Sequence, residues 1–178
     1  ADAVLLSFLP DIRWACGFTG SNALLIVDRE VVHFISDGRY EAQAQREVAA
    51  SAIHIASGSL LDYVAEHDLL DAQATVLFQS DHVTVAKQQQ LTRHFPSVQW
   101  QPVAQLLVEE VAAKDAHEIE HVRAAQAVTD AVFAHLCDVI EPGCTERAIA
   151  AEIVYQHLQR GAERMAFDPI VASGPNAS

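Results

Sequence analysis

Residues 117–121 read HEIEH, which matches the H-E-x-x-H pattern that places two histidines on one face of a helix. In zinc hydrolases with this pattern, the two imidazoles bind the metal ion and the glutamate acts as the general base. Taken alone, the pattern predicts a zinc peptidase.

The residues around this motif favour a solvent-exposed helix start instead. Asp115 is a suitable N-cap, and Glu118 can complete a capping box with it, which places His117 in the first turn and commits Glu118 to a backbone N–H. Glu120 adds a second carboxylate where a buried catalytic helix would carry an uncharged residue. A third ligand cannot be chosen among the later candidates, which are Glu141, Glu146, Glu152 and His157.

No other set of residues forms a recognisable catalytic pattern. Residues 17–21 (GFTGS) lack the Gly-Lys-Ser/Thr ending of a phosphate loop and are predicted to form a tight loop. The remaining histidines show no i,i+4 pairing, and the cysteines form no C-x-x-C pair, so neither predicts a metal site. A Ser/His/Asp or Cys/His arrangement cannot be inferred from spacing, because such groups meet in space and not in sequence.

The composition limits the classes of partner. The chain has 178 residues, 51% of them hydrophobic, and a formal net charge of −13, which repels phosphate backbones and anionic headgroups. We therefore expect neither nucleic acid nor membrane partners. No segment reaches the roughly 20 apolar residues of a membrane span, and no signal-peptide layout opens the chain, so we expect a soluble cytoplasmic protein. Its abrupt ends predict that it is a portion of a longer one.

The first part of the chain alternates between strand and helix patterns. Strands are predicted at residues 3–8, 23–27, 31–35, 52–56, 75–79 and 98–103, and helices at 40–48, 59–70 and 82–95. This alternation indicates a layered α/β domain with a mixed or parallel sheet, which we expect to end near residue 107.

The pattern then becomes helical. Apolar residues at spacings of three and four predict one long amphipathic helix that ends at residues 141–143 (EPG). A second helix is predicted at 146–160 and a strand at 167–172. Two helices and a strand cannot enclose a core, so we expect residues 108–178 to be an incomplete second domain.

Three stretches, in this order, resemble the creatinase/aminopeptidase P/prolidase family of metal-dependent Xaa-Pro peptidases (family M24). Residues 11–22 (DIRWACGFTGSN) are similar to the family's aromatic-x-x-Gly-Phe-x-Gly-Ser segment, and residues 36–44 (SDGRYEAQA) to its Thr-Asp-Gly-Arg-Tyr-x-x-Gln-Ala segment. Lys114, residues 142–146 (PGCTE) and residues 167–176 (FDPIVASGPN) resemble the opening of its pita-bread catalytic domain. One departure is Val111, where family members usually carry an arginine.

The resemblance implies a two-domain arrangement and a reaction. Residues 1–107 would form the creatinase-type N-terminal domain, with a mixed sheet flanked by helices, and residues 108–178 the first helices and strand of a truncated α+β pita-bread domain. The family hydrolyses the peptide bond before proline in peptides or dipeptides. It uses two divalent ions (manganese, cobalt or zinc) held by two Asp, one His and two Glu, with a further His assisting.

The resemblance assigns no catalytic, cofactor-binding or metal-binding residue to this chain, because all of those positions follow the Gly-Pro-Asn segment. Phe167 and Asn176 are the residues implied to approach the substrate, against the simpler interpretations of a core aromatic and a turn former. Arg13 and Trp14 lie in the domain that reaches a neighbouring subunit in relatives, although a structural role is favoured for both.

The implied role of the chain is therefore homo-oligomerisation, as a dimer or larger assembly, and framing of a site for proline-containing peptides. By itself it should bind no metal and be inactive. Two alternatives stay open at this point: a non-catalytic pita-bread module that binds protein partners, and a creatinase-type hydrolase that needs no metal.

Overall fold

A computed structural model of the chain describes residues 1–177. The chain folds into two compact units, Ala1–Ala112 and Ala113–Ser178. The division follows the helix at Val108–Ala112, whereas the sequence-based boundary lies near residue 107 and stays a prediction.

The first unit is built on one mixed sheet of six strands. In chain order the strands are β1 (Ala3–Leu6), β2 (Ala23–Asp28), β3 (Val32–Asp37), β4 (Ala52–Ala56), β5 (Thr75–Gln79) and β6 (Gln99–Val103). They lie in the order β4-β3-β2-β1-β5-β6. The β1–β2 and β2–β3 pairs are antiparallel, and the other three pairs are parallel.

Seven α-helices are found within residues 1–177. They are α1 (Leu9–Cys16), α2 (Glu41–Glu47), α3 (Leu60–Glu66), α4 (Val85–His94), α5 (Val108–Ala112), α6 (Ala116–Val139) and α7 (Glu146–Gln159). None of these helices combines the length and apolar character that a bilayer crossing requires. The predicted α/β class, with a mixed sheet flanked by helices, is confirmed for the first unit.

The sheet buries a hydrophobic layer on each face. Side chains alternate between the faces along a strand, so Leu5 and Ile35 join one core with residues of α3, while Leu6 and Phe34 join the other with residues of α1. Because both faces of the central strands are covered, β2 reads as an uninterrupted apolar run. Pro102 is tolerated because β6 is an edge strand.

Helix α1 was not predicted. The predicted strand at residues 3–8 ends at Leu6, and a helix begins at Leu9. Pro10 lies in the first helical turn, where its missing N–H costs no intrahelical hydrogen bond. The helix ends at Gly17, whose φ of 85° is left-handed and whose N–H donates to the Arg13 carbonyl at 2.8 Å.

A buried glutamine fixes the start of α1. The Oε1 atom of Gln79, on β5, accepts hydrogen bonds from the backbone N–H groups of Ser7 (3.0 Å) and Phe8 (3.1 Å). Its Nε2 atom donates to the Asp11 carboxylate on α1. Three contacts satisfy an amide that is 3% exposed, and they connect the β1–α1 junction to the neighbouring parallel strand.

The second unit begins as the sequence predicts. The Asp115 carboxylate accepts from the Glu118 N–H at 2.8 Å, and the Glu118 carboxylate accepts from the Asp115 N–H at 2.9 Å, which is a complete capping box. The long helix α6 and the helix α7 are both present. Only Val132 of the predicted apolar stripe is fully buried among the described residues, and His135 joins the helices through Glu152 at 2.7 Å.

The predicted strand at residues 167–172 is wrong. These residues have no regular secondary structure, and Ile170 is 89% exposed. A strand is stabilised by hydrogen bonds to a neighbouring strand, and the described part of the second unit contains no strand that could pair with this segment.

Two histidines meet at the β3–β4 edge of the sheet. His33 Nδ1 and His54 Nε2 lie 3.0 Å apart and share a hydrogen bond, and the Tyr63 ring is 5.7 Å from the His54 ring. Burial lowers the pKa of His54, and the neighbouring His33 and His67 lower it further. The folded chain therefore binds a proton at His54 less readily than the unfolded chain does.

We expect His54 to make the first unit less stable as the pH falls from about 7.5 to about 5.5, through the ordinary histidine pKa of about 6.5. His54→Asn should therefore make the change in stability on acidification less unfavourable than in the parent. Both tryptophans, Trp14 and Trp100, lie in the first unit, so tryptophan fluorescence during urea unfolding reports its free energy of unfolding.

The matched control is His94→Asn. The Gln90 carbonyl and the Asp62 carboxylate raise the pKa of His94, so its contribution is present at low pH and is lost as the pH rises. This variant should increase the acid loss of stability. An unchanged acid loss in His54→Asn would contradict the assignment.

Candidate functional site

The first two motif segments come together at one end of the sheet. One is the loop of residues 17–22 before β2, and the other is residues 36–47, which leave β3 and form α2. Ala23 and Ser36 are direct partners in the antiparallel β2–β3 pair, so the chain enters β2 at the same end at which it leaves β3. We call these two segments the motif cluster.

Asn22 and Asp37 form the inner contact of the motif cluster. Asn22 Nδ2 donates to Asp37 Oδ2 at 2.6 Å, and Ser36 Oγ donates to the Asn22 carbonyl at 2.7 Å. Asp37 Oδ1 also accepts from the Arg39 N–H at 3.1 Å and from Arg39 Nε at 2.8 Å. The hydrogen bond from Arg39 makes the largest contribution, and that from Asn22 the second largest, to holding the pKa of Asp37 far below its usual range. This carboxylate is therefore ionised.

A second layer of polar contacts joins the loop to α2. Glu47 Oε2 accepts from the Thr19 N–H at 3.0 Å and from Thr19 Oγ1 at 2.8 Å, while Gln43 Nε2 donates to both Thr19 Oγ1 and Glu47. Ser21 Oγ and the Tyr40 hydroxyl lie 2.5 Å apart. Hydrogen bonds from Gln43 and Thr19 lower the pKa of Glu47, and the Ser21 hydrogen bond lowers that of Tyr40.

An aromatic group lies beneath these contacts. Phe18 is 1% exposed and meets the Phe34 and Tyr40 rings edge-on, with centroid distances of 4.7 and 5.4 Å. Gly20 passes so close to this group that a Cβ atom would overlap the Phe18 ring and lie 2.8 Å from Tyr40. Gly17 is similarly restricted, because a Cβ there would lie 2.8 Å from the Glu47 carbonyl oxygen.

The polar side chains of the motif cluster mainly hydrogen-bond to one another and hold its two segments together. Two of its three carboxylates, Asp37 and Glu47, are occupied by donors from the cluster itself. Residues 17–21 form a loop, as predicted. The contact between the two segments was not predicted, because Thr19 and Glu47 are 28 positions apart and no local pattern links them.

In the second unit, Asn176 is bound by a residue that the sequence analysis did not assign to it. Glu146, in the first turn of α7, accepts from Asn176 Nδ2 at 3.1 Å with each carboxylate oxygen and from the Ser173 N–H at 2.7 Å. These hydrogen bonds lower the pKa of Glu146, and the largest contribution comes from Asn176. Glu146 belongs to the motif segment at residues 142–146, but its partner Asn176 is 30 positions away, so the contact was not predicted.

Phe167, the other predicted substrate-proximal residue, lies in a segment without regular structure and is 73% exposed. The simpler interpretation of Phe167 as a core aromatic does not hold for the described residues. Its role near a substrate, like that of Asn176, stays a prediction.

The described residues do not fit a dinuclear metal centre. Across residues 1–177, no three side chains of His, Cys, Asp or Glu are placed to hold a metal ion together. His117 and His121 contact each other on α6, but Glu118 is engaged in the capping box.

Comparison with known proteins decides the family. Residues 1–123 match the model of the creatinase/prolidase N-terminal domain, which is more than half of the chain, and residues 120–178 match that of metallopeptidase family M24. The chain belongs to the creatinase/prolidase family. The resemblance described from its motifs is thereby confirmed.

Among curated relatives of this creatinase/prolidase chain, an uncharacterized peptidase, YqhT, of Bacillus subtilis is 28% identical over 177 residues, which is 99% of this chain and 50% of that protein. An Xaa-Pro dipeptidase of Lactobacillus helveticus is 33% identical over 106 residues, or 58% of this chain and 29% of that protein. The chain spans about half the length, or less, of these relatives.

Solved structures agree with the fold. The Xaa-Pro dipeptidase from Bacillus anthracis superimposes with a TM-score of 0.87 at 24% identity, covering 94% of this chain and 47% of that one. The X-Pro aminopeptidase from Thermotoga maritima gives a TM-score of 0.85 at 25% identity, covering 94% of this chain and 49% of that one.

We expect Gly20→Ala to destabilise the first unit by about 1–3 kcal/mol, because the added methyl group must displace the Phe18 or Tyr40 ring. The free energy of unfolding from urea titration measures this. Gly38→Ala is the matched control, since no atom lies within 4 Å of a Cβ at Gly38, and it should change stability by less than about 0.5 kcal/mol. Equal losses of stability in the two variants would contradict the claim that the close packing of Gly20 against Phe18 and Tyr40 excludes a larger side chain.

Proposed function

We propose that this chain is the N-terminal half of a metal-dependent Xaa-Pro peptidase, an enzyme that hydrolyses the peptide bond before proline. The observation that carries the proposal is the order of the two family matches, in which the creatinase-type domain is followed directly by the start of the metallopeptidase domain. The relatives' names are those of peptidases, which favours this proposal over a non-catalytic binding module or a creatinase-type hydrolase.

The proposal also says which parts of that enzyme this chain supplies and which lie outside it. Residues 1–107 form the N-terminal domain and residues 108–178 the first helices of the pita-bread domain. The two divalent ions, manganese, cobalt or zinc, are held by residues outside this chain. What supports this placement is the resemblance, in which every metal-binding position follows the Gly-Pro-Asn segment at residues 174–176.

The contribution of this chain is to frame the site and to associate with a second copy, as a cytoplasmic homodimer or larger homo-oligomer. The motif cluster supports a framing role, because its hydrogen bonds and close packing stiffen the end of the sheet. On α1, Trp14 is 45% exposed and offers an apolar contact for a partner.

Phe167 and Asn176 border the substrate in this proposal. Glu146 gives the proposal a physical basis for Asn176, since it fixes the orientation of the side-chain amide from α7. Phe167 offers an exposed ring against which a proline ring can pack.

We expect the 178-residue chain alone to release no amino acid from Xaa-Pro dipeptides or Xaa-Pro-Yaa peptides in the presence of added manganese. The measurement is product release followed by chromatography, with a complete family member assayed in parallel as the positive control. Turnover by the isolated chain would show that it carries its own catalytic group and would refute the proposed division of labour.

A further inference from the structure

His117 and His121 form a second feature with its own chemistry. They lie one turn apart on α6, both are exposed, and their Nε2 atoms are 3.1 Å apart. Their rings meet at an interplanar angle of 75°, with centroids 4.4 Å apart. Two imidazole nitrogens thus lie within hydrogen-bond distance of each other at the surface of the helix.

The separation suits a shared metal ion. Imidazole nitrogens bind zinc at about 2.0–2.1 Å, so two nitrogens on one ion lie about 2.9 Å apart at a right angle and about 3.4 Å apart at the tetrahedral angle. The observed 3.1 Å lies between these values. Both rings must rotate so that their lone pairs point at the ion instead of at each other, but the separation of the two nitrogens need not change.

The helix holds both histidines in place without a ligand. The Asp115–Glu118 capping box fixes the first turn, so little backbone order has to be gained on binding. The positive end of the helix dipole opposes a cation here. Between residues 114 and 123, however, three carboxylates (Asp115, Glu118 and Glu120) exceed two cationic side chains (Lys114 and Arg123), and this local negative charge offsets the dipole.

We propose that His117 and His121 form a bidentate surface site for a late first-row divalent cation, of which Cu²⁺, Ni²⁺ and Zn²⁺ are the members, with water in the remaining positions. In the free protein one Nε2 atom donates to the other. For a cation to bind both, the donating histidine changes to its Nδ1–H tautomer, so both imidazoles stay neutral and no net proton is released. The site is not catalytic, because Glu118 is committed to the capping box.

This site differs in selectivity from the carboxylate-rich centre of the peptidase family. Affinity for nitrogen ligands rises from Mn²⁺ to Cu²⁺ along the first row, whereas Mn²⁺ prefers carboxylate and water. A site with imidazole ligands alone therefore binds Ni²⁺ and rejects Mn²⁺. The inference does not depend on the proposed function, since it concerns residues that take no part in it, but it revises the expectation that the chain by itself binds no metal.

Isothermal titration of the chain with Ni²⁺ at about pH 7.5, on protein purified without a polyhistidine tag, tests the site. We expect one binding event whose affinity falls about tenfold or more in His117→Asn and in His121→Asn, because each removes one of two ligands. Both positions are exposed, so the variants should keep the far-ultraviolet circular dichroism of the parent.

The matched control is the His33→Asn/His54→Asn double variant, which removes the other close histidine pair, at 3.0 Å on the sheet edge. It should keep the Ni²⁺ affinity of the parent, and Mn²⁺ should give no saturable heat with any variant. No Ni²⁺ binding by the parent, Ni²⁺ binding that survives in His121→Asn, or equal affinities for Mn²⁺ and Ni²⁺ would each overturn the proposal.

Discussion

The carboxylate of Asp37 joins the two motif segments of the first unit. It stands at the end of β3, accepts a hydrogen bond from the Asn22 side chain that precedes β2, and also binds the backbone and guanidinium of Arg39. A charged acceptor makes each of these hydrogen bonds stronger than a neutral one would be. The loop before β2 and the chain leaving β3 are therefore held in one arrangement, on which the Phe18, Gly20 and Tyr40 packing depends.

This constraint explains why the residue types at several positions of the motif cluster are restricted. Asn22, Asp37 and Glu47 bind one another's segments, and Gly20 is required where the backbone approaches two aromatic rings. The same principle operates in the second unit, where Glu146 binds Ser173 and Asn176. Residues that shape a site can be as restricted in type as residues that react in it.

Local patterns predicted the local structure well. The apolar runs of β2, β3, β4 and β5 and the capping box of α6 each follow from residues within a few positions of one another. The incorrect or missing predictions concern segments whose structure depends on contacts with residues far away in the sequence. Helix α1 was not predicted, because Gln79, about seventy positions away, fixes its start. Residues 167–172 have strand-like composition but no neighbouring strand within the described second unit. The contacts of the motif cluster and of Asn176 are likewise long-range, so the sequence identified the segments but not their pairing.

A double-mutant cycle on Asn22→Ala and Asp37→Ala tests most directly whether the two motif segments act as one scaffold. Urea unfolding of the parent, both single variants and the double variant yields the coupling free energy between the side chains. The structure predicts a coupling of about 1 kcal/mol in favour of the pair. Either single substitution already removes the part-buried hydrogen bond to the charged carboxylate, so the second substitution cannot remove it again. Additive effects, within about 0.5 kcal/mol, would contradict the coupling of the two segments through Asp37.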